Sequence, residues 1–411
     1  MVETSVKNYL LPAMAGFAAQ LIGIGIGRLG YPPLIPALIG NHWFTVSQAD
    51  YLTAANLTGY ILGSIMAARI NRSVPSVFLI KSCVLTAIFT FVLCGIPFGF
   101  PIYFVLRTIA GICGGVIVVV TAPTILKFTP ESVKGVIGGI IFSGVGMGVA
   151  FTGVLIPYIL RNGIPLTWFF YAVFSIVLVF SFWKSWPAGS NQEYLIKKKP
   201  NGEHRQKIWS RAIILLLIAY ACNAVGFVPH TVFWVDFISR GLHLGIATGT
   251  HFWILLGISA AIGPVITGYM ADKIGFGKSI RISLLVKGIG VILPVLSTAA
   301  WSLALSSIFV GGLALGIASL AAGRITELVE PILQKKVWSY MTICFSITHA
   351  LTAYLLSYVF SRTFSYVLIF EIGAVSLFIG SVLDFLGSLS PEIKPKLTMA
   401  HQESIKDCQV C

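Results

Sequence analysis

Two arginines lie inside long apolar stretches of this chain, where a charged side chain is costly unless it has a partner or a task. Arg28 follows the run Gly23-Ile24-Gly25-Ile26-Gly27, and Arg107 lies near the start of the stretch at 100–126. A guanidinium group is planar and can bond both oxygens of a carboxylate. No acidic residue lies in the interior of the first six apolar stretches. Arg28 and Arg107 are therefore predicted to make a positive cavity that binds a small organic anion.

Two alternatives remain open for these arginines. Arg107 could extend to the outer surface of the membrane rather than into a cavity. One arginine could also reach the membrane surface while the other pairs with Glu371, which would leave the cavity close to neutral.

The residues around Arg28 suggest a binding site within an interrupted helix. Alternating glycines and the pair Pro32-Pro33 weaken regular helical hydrogen bonding. Broken helices that carry a charge within the membrane mark substrate sites in transporters. Tyr31, Asn56 and Tyr60 are predicted to complete the substrate site with Arg28 and Arg107, and the aromatic rings would meet an apolar part of the ligand.

Two further ionisable residues could carry protons. His349 lies in the middle of its apolar stretch, and Glu371 lies about two turns into the last one. They are predicted to supply a proton-linked site opposite the arginines, although a single buried histidine is also often a packed, hydrogen-bonded residue. Lys81 and Lys287 are predicted to extend to the cytoplasmic surface.

A loop near the middle of the second half combines glycines with opposite charges. It contains Gly268, Asp272, Lys273, Gly275 and Lys278. A glycine at a helix end lets two helices approach closely, and charges in a short turn can pair in one conformer and separate in another. These residues are predicted to form a conformational latch, with an ordinary charged turn as the alternative.

The corresponding loop at 63–74 has Ala67 in place of the acid. A symmetric latch is therefore not expected there. Arg324 and Glu327 are three residues apart and are predicted to pair on one helix face. They would form a cytoplasmic gate or, equally, a surface pair.

These residues must be positioned by elements that lie in lipid. Hydrophobic residues make up 56% of the 411 and charged residues only 10%, with a mean hydropathy of +0.90. A soluble chain usually has about 25% charged residues. Stretches long enough to cross a bilayer as helices are predicted at 9–38, 47–70, 76–96, 100–126, 133–160, 166–186, 210–237, 247–272, 280–299, 301–325, 337–360 and 364–388.

The fold class predicted from these stretches is an all-α membrane protein of twelve transmembrane helices in two pseudo-symmetric six-helix halves. Four regions follow from the pattern. They are an N-terminal half at 1–186, a basic cytoplasmic linker at 187–209, a C-terminal half at 210–390 and a cytoplasmic tail at 391–411.

The distribution of positive charge predicts the orientation. Of the 28 Lys and Arg residues, 20 fall on the side that carries both termini and the linker, 3 fall on the other side and 5 lie within the stretches. Positive charge concentrates on the cytoplasmic side of membrane proteins. Both termini are therefore predicted to be cytoplasmic, and the net charge of +14 is assigned to topology rather than to nucleic-acid binding.

These motifs resemble those of the major facilitator superfamily. The loop at 268–278 is similar to its signature G-x-x-x-D-[RK]-x-G-[RK]-[RK], with Gly277 in one basic position, and residues 107–115 resemble its fourth-helix pattern R-x-x-x-G-x-x-x-G. Residues 25–36 and 144–148 resemble the bacterial YbfB/YjiJ-type branch. The resemblance implies a multi-pass transporter of the bacterial inner membrane, and a role for Arg107 in the cavity or in proton coupling.

No pattern typical of catalysis is visible. The sequence lacks a Walker loop, an HExxH motif and a nucleophile elbow, and its apolar stretches hold no carboxylate pair at helical spacing. We predict no enzyme activity, cofactor, metal site or nucleic-acid partner. We predict a monomeric protein in the bilayer that moves a small molecule. Without an ATP-binding motif, uphill transport would use an ion gradient, and protons are the expected ion.

Two alternatives complete the sequence interpretation. A non-transporting receptor on the same fold would usually carry a soluble output domain, for which the longest loop is too short. Cys408 and Cys411 at the C-terminus could be a lipidation signal or a metal or redox pair, but an inactive tail is expected.

Overall fold

The computed structural model describes residues 2–187 and 209–389, and almost all of these residues are helical. The predicted linker, the predicted tail and Cys408 and Cys411 lie outside the described residues, apart from positions at the linker's edges. We number the long helices α1 to α12. Their bounds are α1 Val2–Gln20, α2 Val46–Ser73, α3 Ser76–Cys94, α4 Phe100–Leu126, α5 Lys134–Ile159, α6 Ile164–Ser181, α7 Arg211–Val228, α8 Gly245–Ile274, α9 Phe276–Leu296, α10 Ala300–Leu328, α11 Pro331–Thr363 and α12 Tyr366–Ser388.

The predicted all-α architecture is confirmed for the described part of the chain. Eleven of its helices are long and apolar enough to cross a membrane. The remaining long helix, α2, has 28 residues but falls short on apolarity, because polar residues such as Asn56, Thr58 and Ser64 recur along it. Its N-cap is Thr45, whose side chain forms a reciprocal capping box with Gln48.

The first helix of each half is interrupted. The π-helical segment Leu21–Ile26 follows α1, and Pro229–Phe233 follows α7. Glycines at 23, 25 and 27 loosen the first, and Pro229 removes a backbone donor from the second. Such π-helical turns are frequent at functional sites because they redirect side chains and free backbone groups.

The helices α5 and α8 join the N-terminal half (α1–α6) to the C-terminal half (α7–α12) along a seam of small residues. A Cβ atom added at Gly139 would collide with the carbonyl group of Pro264, and one at Gly146 would collide with Ala260. A Cβ atom added at Gly135 would likewise collide with the carbonyl oxygen of Gly268, and one added at Gly268 would collide with that of Gly135. Glycine lets two backbones approach this closely within a membrane. We call these pairs the glycine seam.

Large apolar side chains cover the outer surface of the bundle. Phe78, Val177, Ile266 and Leu355 are each more than 60% exposed. Such a surface is stable in lipid but not in water. Because the helices alternate in direction, the described chain ends at 2, 187, 209 and 389 lie at one end of the bundle, which we call the linker end. The opposite end is the far end.

Candidate functional site

The interruption after α1 is held by side chains from α2 and α4. Arg107 donates from Nη1 to the carbonyl oxygen of Gly27 at 2.8 Å, and its guanidinium lies 4.3 Å from the ring centroid of Tyr31. Asn56 donates from Nδ2 to the carbonyl oxygen of Arg107 at 3.0 Å. Arg107 and Asn56 are each 1% exposed, and Tyr31 is fully buried.

These contacts give Arg107 and Asn56 a structural task. Backbone carbonyl groups next to a helix interruption need donors, because lipid supplies none. The two alternatives proposed that Arg107 extends to the membrane surface or pairs with Glu371. Neither holds for Arg107 in this structure. A direct contact of Arg107, Asn56 or Tyr31 with substrate, and a proton-coupling role for Arg107, stay predictions.

Arg28 lies where the two halves meet. Its guanidinium carbon is 4.8 Å from the ring centroid of Tyr60 on α2, and its side chain is partly exposed. Tyr60 interacts through its hydroxyl group with Ser346 on α11, and Arg28 is close enough to His349 to interact with it electrostatically. We call Arg28, Tyr60, Ser346 and His349 the central cluster, since both halves contribute to it.

No carboxylate compensates Arg28 among the described side chains. The ion pairs described within residues 2–187 and 209–389 join other residues, at 131 and 134, 236 and 240, 281 and 384, and 324 and 327. A cation at this depth without a counter-charge favours an anionic ligand.

His349 is oriented by the C-terminal half. Its Nδ1 lies 3.2 Å from the carbonyl oxygen of Ala224, and its Nε2 lies 3.4 Å from the hydroxyl group of Thr231. A carbonyl oxygen only accepts, so Nδ1 carries the hydrogen and Nε2 is left as the acceptor of the neutral ring. His349 is thus packed and hydrogen-bonded, as one alternative expected, and also retains a nitrogen that can take up a proton.

Glu371 lies away from the central cluster. It is exposed on α12, one turn from Val367 and Val375, which are 48% and 55% exposed. The spacing of four residues puts all three side chains on one face of the helix. Because that face is the outer surface of the bundle, Glu371 does not stand opposite Arg28 as the sequence interpretation placed it.

Lys287 does not extend to the cytoplasm, and that prediction is wrong. Its side chain is fully buried, donates from Nζ to Oδ1 of Asn223 at 2.8 Å and lies 4.5 Å from the ring centroid of Phe227. The helix α9 begins at Phe276, four residues earlier than predicted, so Lys287 lies roughly 16 Å along it. The lysine side chain is too short to reach the surface from there. Lys81 instead lies partly exposed over Trp183, at 4.4 Å.

The predicted latch joins the two halves. Asp272 accepts hydrogen bonds from the backbone N–H groups of Gly135 at 2.6 Å and Val136 at 2.8 Å, at the start of α5. A carboxylate at a helix N-terminus satisfies free donors and interacts favourably with the helix dipole. Gly275 has a φ of +85°, which lets α8 turn directly into α9. Lys273 and Lys278 are exposed, and Lys273 lies over Tyr269.

A second polar contact between the halves was missed by sequence reasoning. Lys335 on α11 donates from Nζ to Oδ1 of Asn71 at 2.9 Å and to Oγ of Ser76 at 2.6 Å. These two residues flank the loop between α2 and α3, where the acid is absent. Trp338 also donates to the carbonyl oxygen of Val118 at 2.9 Å, and Ser339 to that of Ser64. The halves are therefore tied together at the linker end in this conformation.

Arg324 and Glu327 form the predicted ion pair, which lies within the C-terminal half. Arg281 on α9 lies 4.0 Å from Oδ2 of Asp384 on α12, and sequence reasoning had singled out neither of them as a site residue. Asp384 is 5% exposed. The pairs stabilise the linker end of this half, and a gating role for Arg324 and Glu327 stays a prediction.

The sequence matches a family described as "Uncharacterised MFS-type transporter YbfB" over residues 20–385. This chain belongs to the major facilitator superfamily. The family match confirms the resemblance found in the motifs. A chain of this family is a transporter rather than an enzyme, it lies in a membrane and it acts on small molecules.

Solved structures of other superfamily members share the fold. FucP in the outward conformation is 12% identical with a TM-score of 0.74, and the match covers 93% of this chain and 100% of that one. A bacterial homologue of the iron transporter ferroportin, in the outward-facing state with soaked iron, is 14% identical with a TM-score of 0.70, covering 92% and 99%. The proton:xylose symporter XylE bound to 6-bromo-6-deoxy-D-glucose is 15% identical with a TM-score of 0.68, covering 95% of each chain.

For this superfamily member the comparisons establish the fold. At 12–15% identity they carry no substrate to this chain. Its ligand must therefore be inferred from its own side chains, and the central cluster is one place where both halves contribute polar groups.

Proposed function

We propose that this protein is a secondary transporter that moves a small organic anion by alternating access and is driven by a proton gradient. The observation that carries the proposal is the position of Arg28. It is a partly exposed cation between the halves, beside Tyr60 and His349, and no described carboxylate pairs with it. An anion would supply the missing charge and could be bonded through both oxygens.

The arrangement also supports alternating access. The contacts of Asp272 and Lys335 join the halves at the linker end, and they involve a few hydrogen bonds that can be exchanged for water. A site shared by two halves is exposed alternately when the halves rock. Release of these contacts would open the linker end, which the positive-inside rule assigns to the cytoplasm.

His349 is the proton site that fits this scheme best. It lies in the central cluster, it is held by Ala224, and its second nitrogen is an acceptor. Proton uptake there would add a positive charge near Arg28 and strengthen anion binding, so that proton and anion binding favour each other. Glu371 is not included, because it faces the outer surface.

Transport assays with matched ligands test the proposal. Purified protein in liposomes would be screened with small carboxylates and their amides, with and without an imposed proton gradient. Uptake of carboxylates that increases with an inward proton gradient is expected. Preferred transport of amines, or equal transport of acids and amides, would contradict the anion hypothesis.

Two arginine variants give the assay its internal control. Arg28→Gln should reduce carboxylate transport by about 10- to 100-fold, because a charge-assisted contact contributes about 1.5–3 kcal/mol. Amide transport should change little. Arg107→Gln should affect acids and amides alike if Arg107 serves only as a brace of the α1 interruption, whereas a selective loss of carboxylate transport would support its predicted contact with substrate.

A further inference from the structure

Aromatic rings form a continuous wall in the C-terminal half, and one of its members, His349, lies close to Arg28. On α11, the rings of Phe345 and His349 are nearly parallel, at 5° and 5.8 Å between centroids. Phe227 on α7 lies 5.9 Å from His349, and Tyr220 on α7 lies 5.1 Å from Phe345. Trp338 continues the wall toward the linker end, 6.0 Å from Tyr220.

The spacing of these residues explains the wall. On α11, residues 338 and 345 are seven positions apart, and residues 345 and 349 are four apart. On α7, residues 220 and 227 are seven apart. These spacings put each set on one face of its helix. Ser346 lies one turn before His349 on α11, and its partner is Tyr60 of the N-terminal half. His349 therefore belongs both to the wall and to the central cluster and joins the two.

The wall has a fixed base and an accessible upper part. Trp338 is 2% exposed and donates to Val118, and Tyr220 is 7% exposed. Phe227, Phe345 and His349 are only partly buried. A ligand that is bound to Arg28 and extends past His349 would therefore meet the rings of Phe345 and Phe227.

We propose that the substrate is an aryl carboxylate, whose carboxylate binds Arg28 while its ring packs against Phe345 and Phe227. This inference rests on the proposed function and narrows it. Aromatic pairs prefer offset or edge-to-face arrangements and bind beyond what buried area alone contributes. The same wall would bind a saturated ring of equal size less tightly.

Binding measurements with four matched probes test this inference. Full-length protein in lipid nanodiscs would be titrated with benzoate, cyclohexanecarboxylate, benzamide and acetate. Benzoate differs from cyclohexanecarboxylate in aromaticity, from benzamide in charge and from acetate in carrying a ring. Benzoate is expected to bind tightest, by roughly five- to tenfold over cyclohexanecarboxylate, which is the size of one aromatic pair.

Two variants separate the ring contact from the charge contact. Phe345→Leu keeps an apolar side chain and should remove most of the preference for benzoate over cyclohexanecarboxylate, while the preference over benzamide persists. Arg28→Gln should remove most of the preference for benzoate over benzamide, while the preference over cyclohexanecarboxylate persists.

The outcomes for the two proposals differ. Equal binding of benzoate and cyclohexanecarboxylate, or binding of acetate alone, would overturn the aryl carboxylate and leave the anion transporter intact. Binding of benzamide as tightly as benzoate would overturn both proposals. Binding of none of the four probes would overturn the aryl carboxylate, and the wider carboxylate screen would then decide the proposed function.

Discussion

Lys287 shows how one polar neighbour can make a buried charge tolerable. The ammonium group is fully buried, and the contacts described for it are Oδ1 of Asn223 and the ring of Phe227. His230 and His349 are the nearby titratable groups, and neither is an acid. Taking a charge out of water costs several kcal/mol, and an apolar side chain of similar shape often serves as well.

We therefore expect Lys287→Met, which leaves the neutral amide oxygen of Asn223 without its donor, to destabilise the protein less than Asn223→Leu does. Asn223→Leu should lower stability by about 1–3 kcal/mol, because the buried ammonium loses its acceptor. Thermal unfolding of the purified variants in one detergent would measure both effects. The double variant should regain stability relative to Asn223→Leu. A Lys287→Met protein less stable than Asn223→Leu would contradict this account.

The depth of Lys287 could not be predicted from the sequence, whereas the depth of Arg28 could. Arg28 stands next to glycines and prolines that mark an interrupted helix, so its environment is visible locally. The depth of Lys287 depends on where α9 begins, and a shift of four residues changes a side chain that reaches the surface into a buried one. Its partner Asn223 is 64 residues away in the chain.

At the scale of helices, the N-terminus of α5 and the loop after α8 form the main adjustable contact. Asp272→Asn keeps one oxygen acceptor but removes the negative charge that faces the helix N-terminus. Such a charge contributes up to about 2 kcal/mol in a partly buried site. We expect the closed linker end to become less populated by up to roughly 30-fold and the transport rate to change, with membrane insertion unaffected.

Uptake rates and the labelling of a cysteine placed at Ser339 would measure this shift. Lys273→Gln is the matched control, because Lys273 is exposed in the same loop and lies over Tyr269 of its own helix. If Asp272→Asn and Lys273→Gln behave alike, the loop serves only as a topology signal.

Helix contacts between the halves were only partly predictable. The sequence identified Asp272 because its loop has a recognisable spacing. It could not identify Lys335 with Asn71 and Ser76, because this contact requires knowing which ends of distant helices meet. The start of α11 was also predicted at 337 instead of Pro331, since Gln334, Lys335 and Lys336 read as a loop.

At the scale of the whole molecule, the distribution of positive charge predicts the orientation in the membrane. Reporter fusions at Gly163, between α5 and α6 at the far end, and at Asn201, in the linker outside the described residues, should report opposite sides. The reporter at Asn201 is expected to be cytoplasmic, because 20 of the 28 basic residues fall on that side. Two reporters on the same side would overturn the predicted order of the helices.

The overall architecture was the most predictable level. The stretch predicted at 100–126 is Phe100–Leu126 in the structure, because apolar length alone defines a helix in lipid. The exception is α2, in which Asn56 and Ser64 are buried inside the protein while Thr58 is exposed. Asn56, for example, bonds Arg107.

The glycine seam implies that the two halves can recognise each other as separate molecules. Its surface consists of backbone and small residues on α5 and α8, so it exists as soon as each helix has formed, and preformed helices associate within the bilayer. Polypeptides 1–187 and 209–411, synthesised from separate genes in one cell, should therefore copurify. Gly139→Leu should abolish this complementation, whereas Gly153→Leu, where an added Cβ meets nothing within 4 Å, should preserve it. Loss of copurification with both variants, or with neither, would show that the seam is not what pairs the fragments.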